Sequence, residues 1–77
     1  MPAKNALAFG PVLRALRHER NFTQEELSEK IGVATPYISM LESGKKTPNL
    51  EMVFKIAAAL GVKPSSIVAA MEERLKR

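Results

Sequence analysis

The chain has no cysteine. That excludes a disulfide scaffold and a thiolate metal site. Its single histidine, His18, cannot build a metal centre alone. Tryptophan is absent and aromatics are only 5% of residues, so Leu, Ile, Val, Ala and Met must supply the apolar mass. No apolar run approaches the roughly 20 residues that span a bilayer. The opening MPAKNALAFG lacks a secretory apolar core and a cleavage pattern. A cytoplasmic protein without membrane association is therefore expected. There is also no nucleophile–base pair, no cluster of metal ligands and no glycine-rich phosphate loop, which argues against an enzyme and against a cofactor. No sensor domain is visible, so no small-molecule ligand is expected.

What is present fits one domain of 77 residues. The hydrophobic share is 45%, with four glycines and five prolines, a composition of a folded chain rather than a disordered one. Alternating β patterns are weak, so an all-α core is the simplest reading. The net charge is +4, which attracts phosphate without regard to sequence.

Phe9, Leu13 and Leu16 recur at helical spacing, flanked by Val12. Pro11 fits only a first turn, which places the start of helix 1 near Phe9 and its end near Arg20. Met1 to Asn5 form a frayed lead-in, and Asn21 takes a left-handed stop. Thr23 and Glu26 make a capping box for helix 2, Gln24 to Ile31, with Phe22 stapled on Leu27. Gly32 ends it. Helix 3 has two possible starts. Thr35 caps with Pro36 at N1, or Ala34 caps with Pro36 at N2; residue type favours the first. It ends near Ser43, before Gly44. Asn49 caps helix 4, which carries Leu50, Val53, Phe54, Ala57 and Leu60. Pro64 opens helix 5, with Ile67, Val68, Met71 and Leu75 as its apolar stripe and Arg74, Lys76 and Arg77 at its C-terminal end.

On a helical wheel, Ala34, Tyr37, Ile38 and Leu41 of helix 3 share the inner side. Pro36, Ser39, Met40 and Ser43 lie opposite, with Thr35 on the margin. The outer face carries no charge in a chain that is 26% charged. Hydroxyls and methyls of this kind suit base edges in a major groove, although a short polar solvated helix would look the same. Gly32 supplies a turn for two steeply crossing helices and Ser28 a small residue where they touch. A helix-turn-helix presents its second helix in this way.

Taken together, LRALR, the TQEEL entry to helix 2, the glycine turn, YISMLESGKKTP and KIAAALGV resemble the lambda-repressor-like, Cro/repressor (XRE) helix-turn-helix domains. The resemblance runs from Phe9 to about Ile67. It implies a compact five-helix DNA-binding domain with the helix-turn-helix at helices 2 and 3. The implied domain is 1–77, with 1–6 a flexible N-terminus, 7–66 the core and 64–77 a C-terminal helix that is a candidate dimer element. The resemblance implies base contacts from Thr35, Pro36, Ser39 and Met40. It implies phosphate contacts from Gln24, Ser43, Lys45, Lys46 and Asn49. It also implies a buried structural ion pair between Arg17 and Glu42, with phosphate contact as the alternative role of Arg17. Tyr37 either packs on the domain edge or hydrogen-bonds a phosphate.

The chain departs from the family pattern at Ala34, where Ser or Thr is usual, and at Pro36 and Met40, where longer polar side chains are common. Helix 3 lacks an Asn, Gln or Arg for bidentate base recognition. Specificity then leans on methyl contacts, water, DNA shape, or residues such as Arg14 and the lysines. The implied function is sequence-specific double-stranded DNA binding by a small transcriptional regulator, a repressor or autoregulator. The implied partner is a near-palindromic operator bound by a homodimer through Val68, Met71 and Leu75. The alternative is a protein-interaction module, or an antitoxin or controller-type protein on the same fold.

Overall fold

The computed structural model describes residues 4–76, with side-chain surroundings from Ala8 onward. They form five helices: α1 (Lys4–Glu19), α2 (Gln24–Ile31), α3 (Thr35–Ser43), α4 (Leu50–Leu60) and α5 (Pro64–Leu75). No strand occurs among the described residues. Met1, Pro2 and Ala3 of the expected lead-in, and Arg77 of the expected basic end, lie outside them.

Every helix sends at least one fully buried side chain to one core: Phe9 and Leu13, Leu27, Ile38 and Leu41, Ile56, and Ile67. Each supplies an apolar stripe too short to hold its helix alone, so burial against the others stabilises all five. α1 packs on α3 and α5, α2 on α3 and α4, and α4 on α5. α5 leaves α4 through a bend of 107°. No single helix among the described residues is long and apolar enough to cross a membrane.

Helix α1 differs from its expected start. It begins at Lys4, so Pro11 lies inside it. An interior proline removes one helical hydrogen bond and crowds the preceding turn, at a cost of about 3 kcal/mol. Buried residues bracket it, Ala8 and Phe9 before and Val12 and Leu13 after. Packing holds both turns against the same core and overrides the local preference.

The α2 boundaries and cap match the local signals. Thr23 Oγ1 accepts from the Glu26 N–H at 3.0 Å, and Glu26 Oε1 accepts from the Thr23 N–H at 2.8 Å. Asn21 takes φ 60. Phe22 is partly buried against the core, and the Lys30 ammonium lies 5.3 Å from its ring centre.

Helix α3 starts one residue earlier than residue type favours. Ala34 is the N-cap without a side-chain bond, Thr35 is N1, and Pro36 is N2. The second helical position also lacks an intrahelical partner for its N–H, so Pro36 loses no bond there. The Thr35 hydroxyl is engaged elsewhere, with Ser28 of α2.

Candidate nucleic-acid interface

The site is built on the α2–α3 crossing. Gly32 takes φ 86, and the N–H groups of Gly32 and Val33 both bond the Ser28 carbonyl, at 2.8 and 3.0 Å. This closes α2 and swings the chain into α3 within three residues. A side chain at that φ would be strained, which is why glycine stands at the turn. Ser28 is buried at the crossing. Its hydroxyl reaches the Glu25 carbonyl at 2.7 Å and Thr35 Oγ1 at 3.0 Å.

Leu41 and Ile38 anchor α3 in the core. Pro36, Ser39 and Ser43 are exposed on its other side, and Thr35, Tyr37 and Met40 are half-buried at its flanks. The Ser43 hydroxyl donates to the Met40 carbonyl at 3.2 Å. Tyr37 packs partly on the core, and the Lys46 ammonium lies 5.9 Å from its ring centre.

The loop after α3 folds back on the helix end. The Lys45 and Lys46 N–H groups bond the Met40 carbonyl at 2.9 and 3.2 Å. Their backbones are thereby fixed while both residues remain exposed. Asn49 spends its side-chain oxygen on the Met52 N–H at 2.8 Å as the α4 cap. What it leaves for an anion is the positive end of α4 rather than its own carboxamide.

At the opposite flank of α3, one network ties three segments. Arg17 Nε donates to Glu42 Oε2 at 2.6 Å, and a terminal guanidinium nitrogen donates to Oε1 at 3.1 Å. The other donates to the Phe22 carbonyl at 2.8 Å. Gln24 Nε2 also donates to Glu42 Oε1 at 3.1 Å. The two charged side chains are only 8% and 6% exposed. Burial pushes the Glu42 carboxyl up. The hydrogen bonds from Arg17 and Gln24, with the charges of Arg17 and Arg14, outweigh it and hold its pKa below the ordinary 4.5. Arg17 thus works inside the fold. The Gln24 carboxamide is held by Glu42, while its backbone N–H stands in the first turn of α2, where no helical partner exists.

Val68 and Leu75 of α5 are exposed, and Met71 is half-buried and packs on the core. Two residues of α4 that its spacing places in the apolar stripe are at least as exposed as these. Leu50 is 70% exposed and Phe54 55%, like Val68. They line a groove between α4 and α5 with Pro64 and Val68. The available signal was that α4 carries only Glu51 and Lys55 as charges, so its apolar surface exceeds one buried stripe. Gly10 was also missed. It is buried where α1 crosses the end of α3, and a Cβ there would overlap the Glu42 carbonyl oxygen. Its helical neighbours gave no sign of that crossing.

Comparison with known proteins follows the same segment. The helix-turn-helix family model HTH_3 matches residues 13–67. An uncharacterized HTH-type transcriptional regulator of Methanocaldococcus jannaschii is 44% identical over 55 residues, covering 71% of this chain and 83% of the relative. The crystal structure of the clp gene regulator ClgR from C. glutamicum superposes with a TM-score of 0.87 at 28% identity, over 96% of this chain and 95% of that one. That of the restriction-modification controller protein C.AhdI from Aeromonas hydrophila gives 0.80 at 29% identity, over 84% and 98%.

Proposed function

The chain belongs to the helix-turn-helix family HTH_3, and from that premise we propose that it is a transcriptional regulator reading double-stranded DNA with α3 in the major groove. The observation that carries this reading is the uncharged exposed side of α3. It is flanked by the fixed Lys45–Lys46 loop after its C-terminus and by the α2 N-terminus alongside it, where Gln24 reaches Glu42. Bases meet Thr35, Pro36, Ser39 and Met40. Phosphates meet the N–H of Gln24, the Ser43 hydroxyl, the Lys45 and Lys46 ammonium groups and the α4 N-terminus at Asn49. Tyr37 supports Lys46 from below and turns its hydroxyl to the backbone. Phosphate contacts set affinity and register, and base edges set sequence.

The regulator acts in the cytoplasm as a homodimer on a near-palindromic operator. A two-fold pair would bring two α3 helices about 34 Å apart, one turn of DNA. Exposed Leu50, Phe54, Val68 and Leu75 support an isologous contact through α4 and α5. Repression then needs only occupancy of a promoter.

Selection of binding sites from random duplex DNA, followed by salt titration of affinity, tests the reading. An enriched motif with two related half-sites is expected. In the Lys45→Ala/Lys46→Ala double variant, the slope of log affinity against log salt should fall by about two. Binding that ignores salt, with no enriched motif, would leave the fold serving a protein partner instead.

A further inference from the structure

Two hydroxyls meet where α2 crosses α3. Ser28 Oγ lies 2.7 Å from the Glu25 carbonyl oxygen and 3.0 Å from Thr35 Oγ1. A serine hydroxyl has one proton, and a carbonyl only accepts. If the Ser28 proton pointed at Thr35, two oxygens would face each other lone pair to lone pair at the shorter distance. The proton therefore lies toward Glu25. Thr35 must then supply the proton between the two hydroxyls. The chain runs from Thr35 O–H to Ser28, and from Ser28 O–H to the Glu25 carbonyl. Ser28 is only 2% exposed, so bulk water does not compete for it.

The geometry points to Ser28 as a positioning residue for sequence specificity: it turns the one hydroxyl proton of half-buried Thr35 inward, so that this hydroxyl meets DNA solely as an acceptor. This rests on the reading of α3 as the major-groove helix. In that groove adenine N6 and cytosine N4 donate, whereas guanine N7 and O6 and thymine O4 accept. Thr35 so polarised bonds the amine of adenine or cytosine and faces the guanine or thymine acceptors lone pair to lone pair. An unrestrained threonine would rotate and accept either kind of base. A helix without bidentate side chains thus gains a base preference set from behind, by a residue that never touches DNA.

The test is parallel site selection with the full chain, Ser28→Ala and Thr35→Val, each first checked for native helical content and melting. Alanine removes the proton acceptor and leaves the Glu25 carbonyl its helical bond. Valine keeps the shape of threonine and leaves Ser28 donating to Glu25. At one position of the wild-type motif, adenine or cytosine should exceed guanine and thymine by roughly fivefold, the worth of one neutral hydrogen bond. Ser28→Ala should keep the rest of the motif while this preference drops to about twofold or less. Thr35→Val should lose it too, and the double variant should match Thr35→Val. Loss in Thr35→Val with full retention in Ser28→Ala would overturn the role of Ser28. An unchanged motif in Thr35→Val would overturn contact by Thr35. Failure of the wild type to enrich any motif would remove the DNA reading and this inference with it.

Discussion

Arg17 ties the end of α1 to the entry of α2 and to the distant end of α3. Its guanidinium holds Glu42 at the end of α3, the Phe22 carbonyl before α2, and through Glu42 the Gln24 carboxamide. Removing one partner of a buried pair costs about 3 kcal/mol or more, because the other charge is left without compensation. Arg17→Met should therefore lose stability by about that much in urea melts, while the site motif of the remaining folded protein is unchanged. The acid dependence gives a second check. The folded pKa of Glu42 is depressed, so its contribution is present above the unfolded value. It is lost as pH falls through the unfolded and then the folded value. Burial is already the largest single influence on Glu42, and in Arg17→Met only Gln24 and Arg14 oppose it, so the sign should reverse. Stability at pH 4 relative to pH 7 should improve against the wild type. An unchanged difference between the two pH values would mean that the pair carries none of the acid limb.

At the scale of elements, the decisive contact is the crossing of α1 over the end of α3. Gly10 allows the two backbones to touch, since a Cβ would overlap the Glu42 carbonyl oxygen and lie 2.9 Å from that of Leu41. Both obstacles are backbone and cannot swing aside. Glycine to alanine within a helix ordinarily stabilises by about 1 kcal/mol. Gly10→Ala should do the opposite, with a net loss of about 2 kcal/mol from forced separation of the helices. Calorimetry that finds a higher melting temperature would show that α1 can retreat freely. Local signals were complete for α2, where TQEE encodes a cap that depends on four adjacent residues. They were incomplete for α1, where Pro11 argued for a late start, and for α3, where Thr35 was the better cap by type. In both cases a tertiary contact outweighed the local term: core burial around Pro11, and the hydroxyl of Ser28 for Thr35.

For the molecule as a whole, the question is what covers the outer faces of α4 and α5. Leu50, Phe54 and Val68 are each more than half exposed, and a second copy is the occupant proposed above. Phe54→Glu places a charge in that face without touching the fully buried core. Light scattering should find the wild type as a dimer at high micromolar concentration and this variant as a monomer of equal helicity. Affinity for the full operator should fall by at least tenfold, the loss of about 1.4 kcal/mol or more of linked binding. A wild type that scatters as a monomer would end the dimer proposal and leave α3 reading a single half-site.

Composition, helical spacing and capping residues were enough to specify an all-α chain, the bounds of α2 and the segment that turns into the reading helix. Each depends on neighbours within about one or two turns, and such interactions are written in order along the chain. Long-range packing decided the rest. It joined Gln24 to the Arg17–Glu42 pair, drew the Thr35 hydroxyl onto Ser28, placed Gly10 against α3, and left Phe54 outside. None of these follows from spacing, because each depends on the angle at which one helix meets another. That angle is set by the summed fit of the whole core.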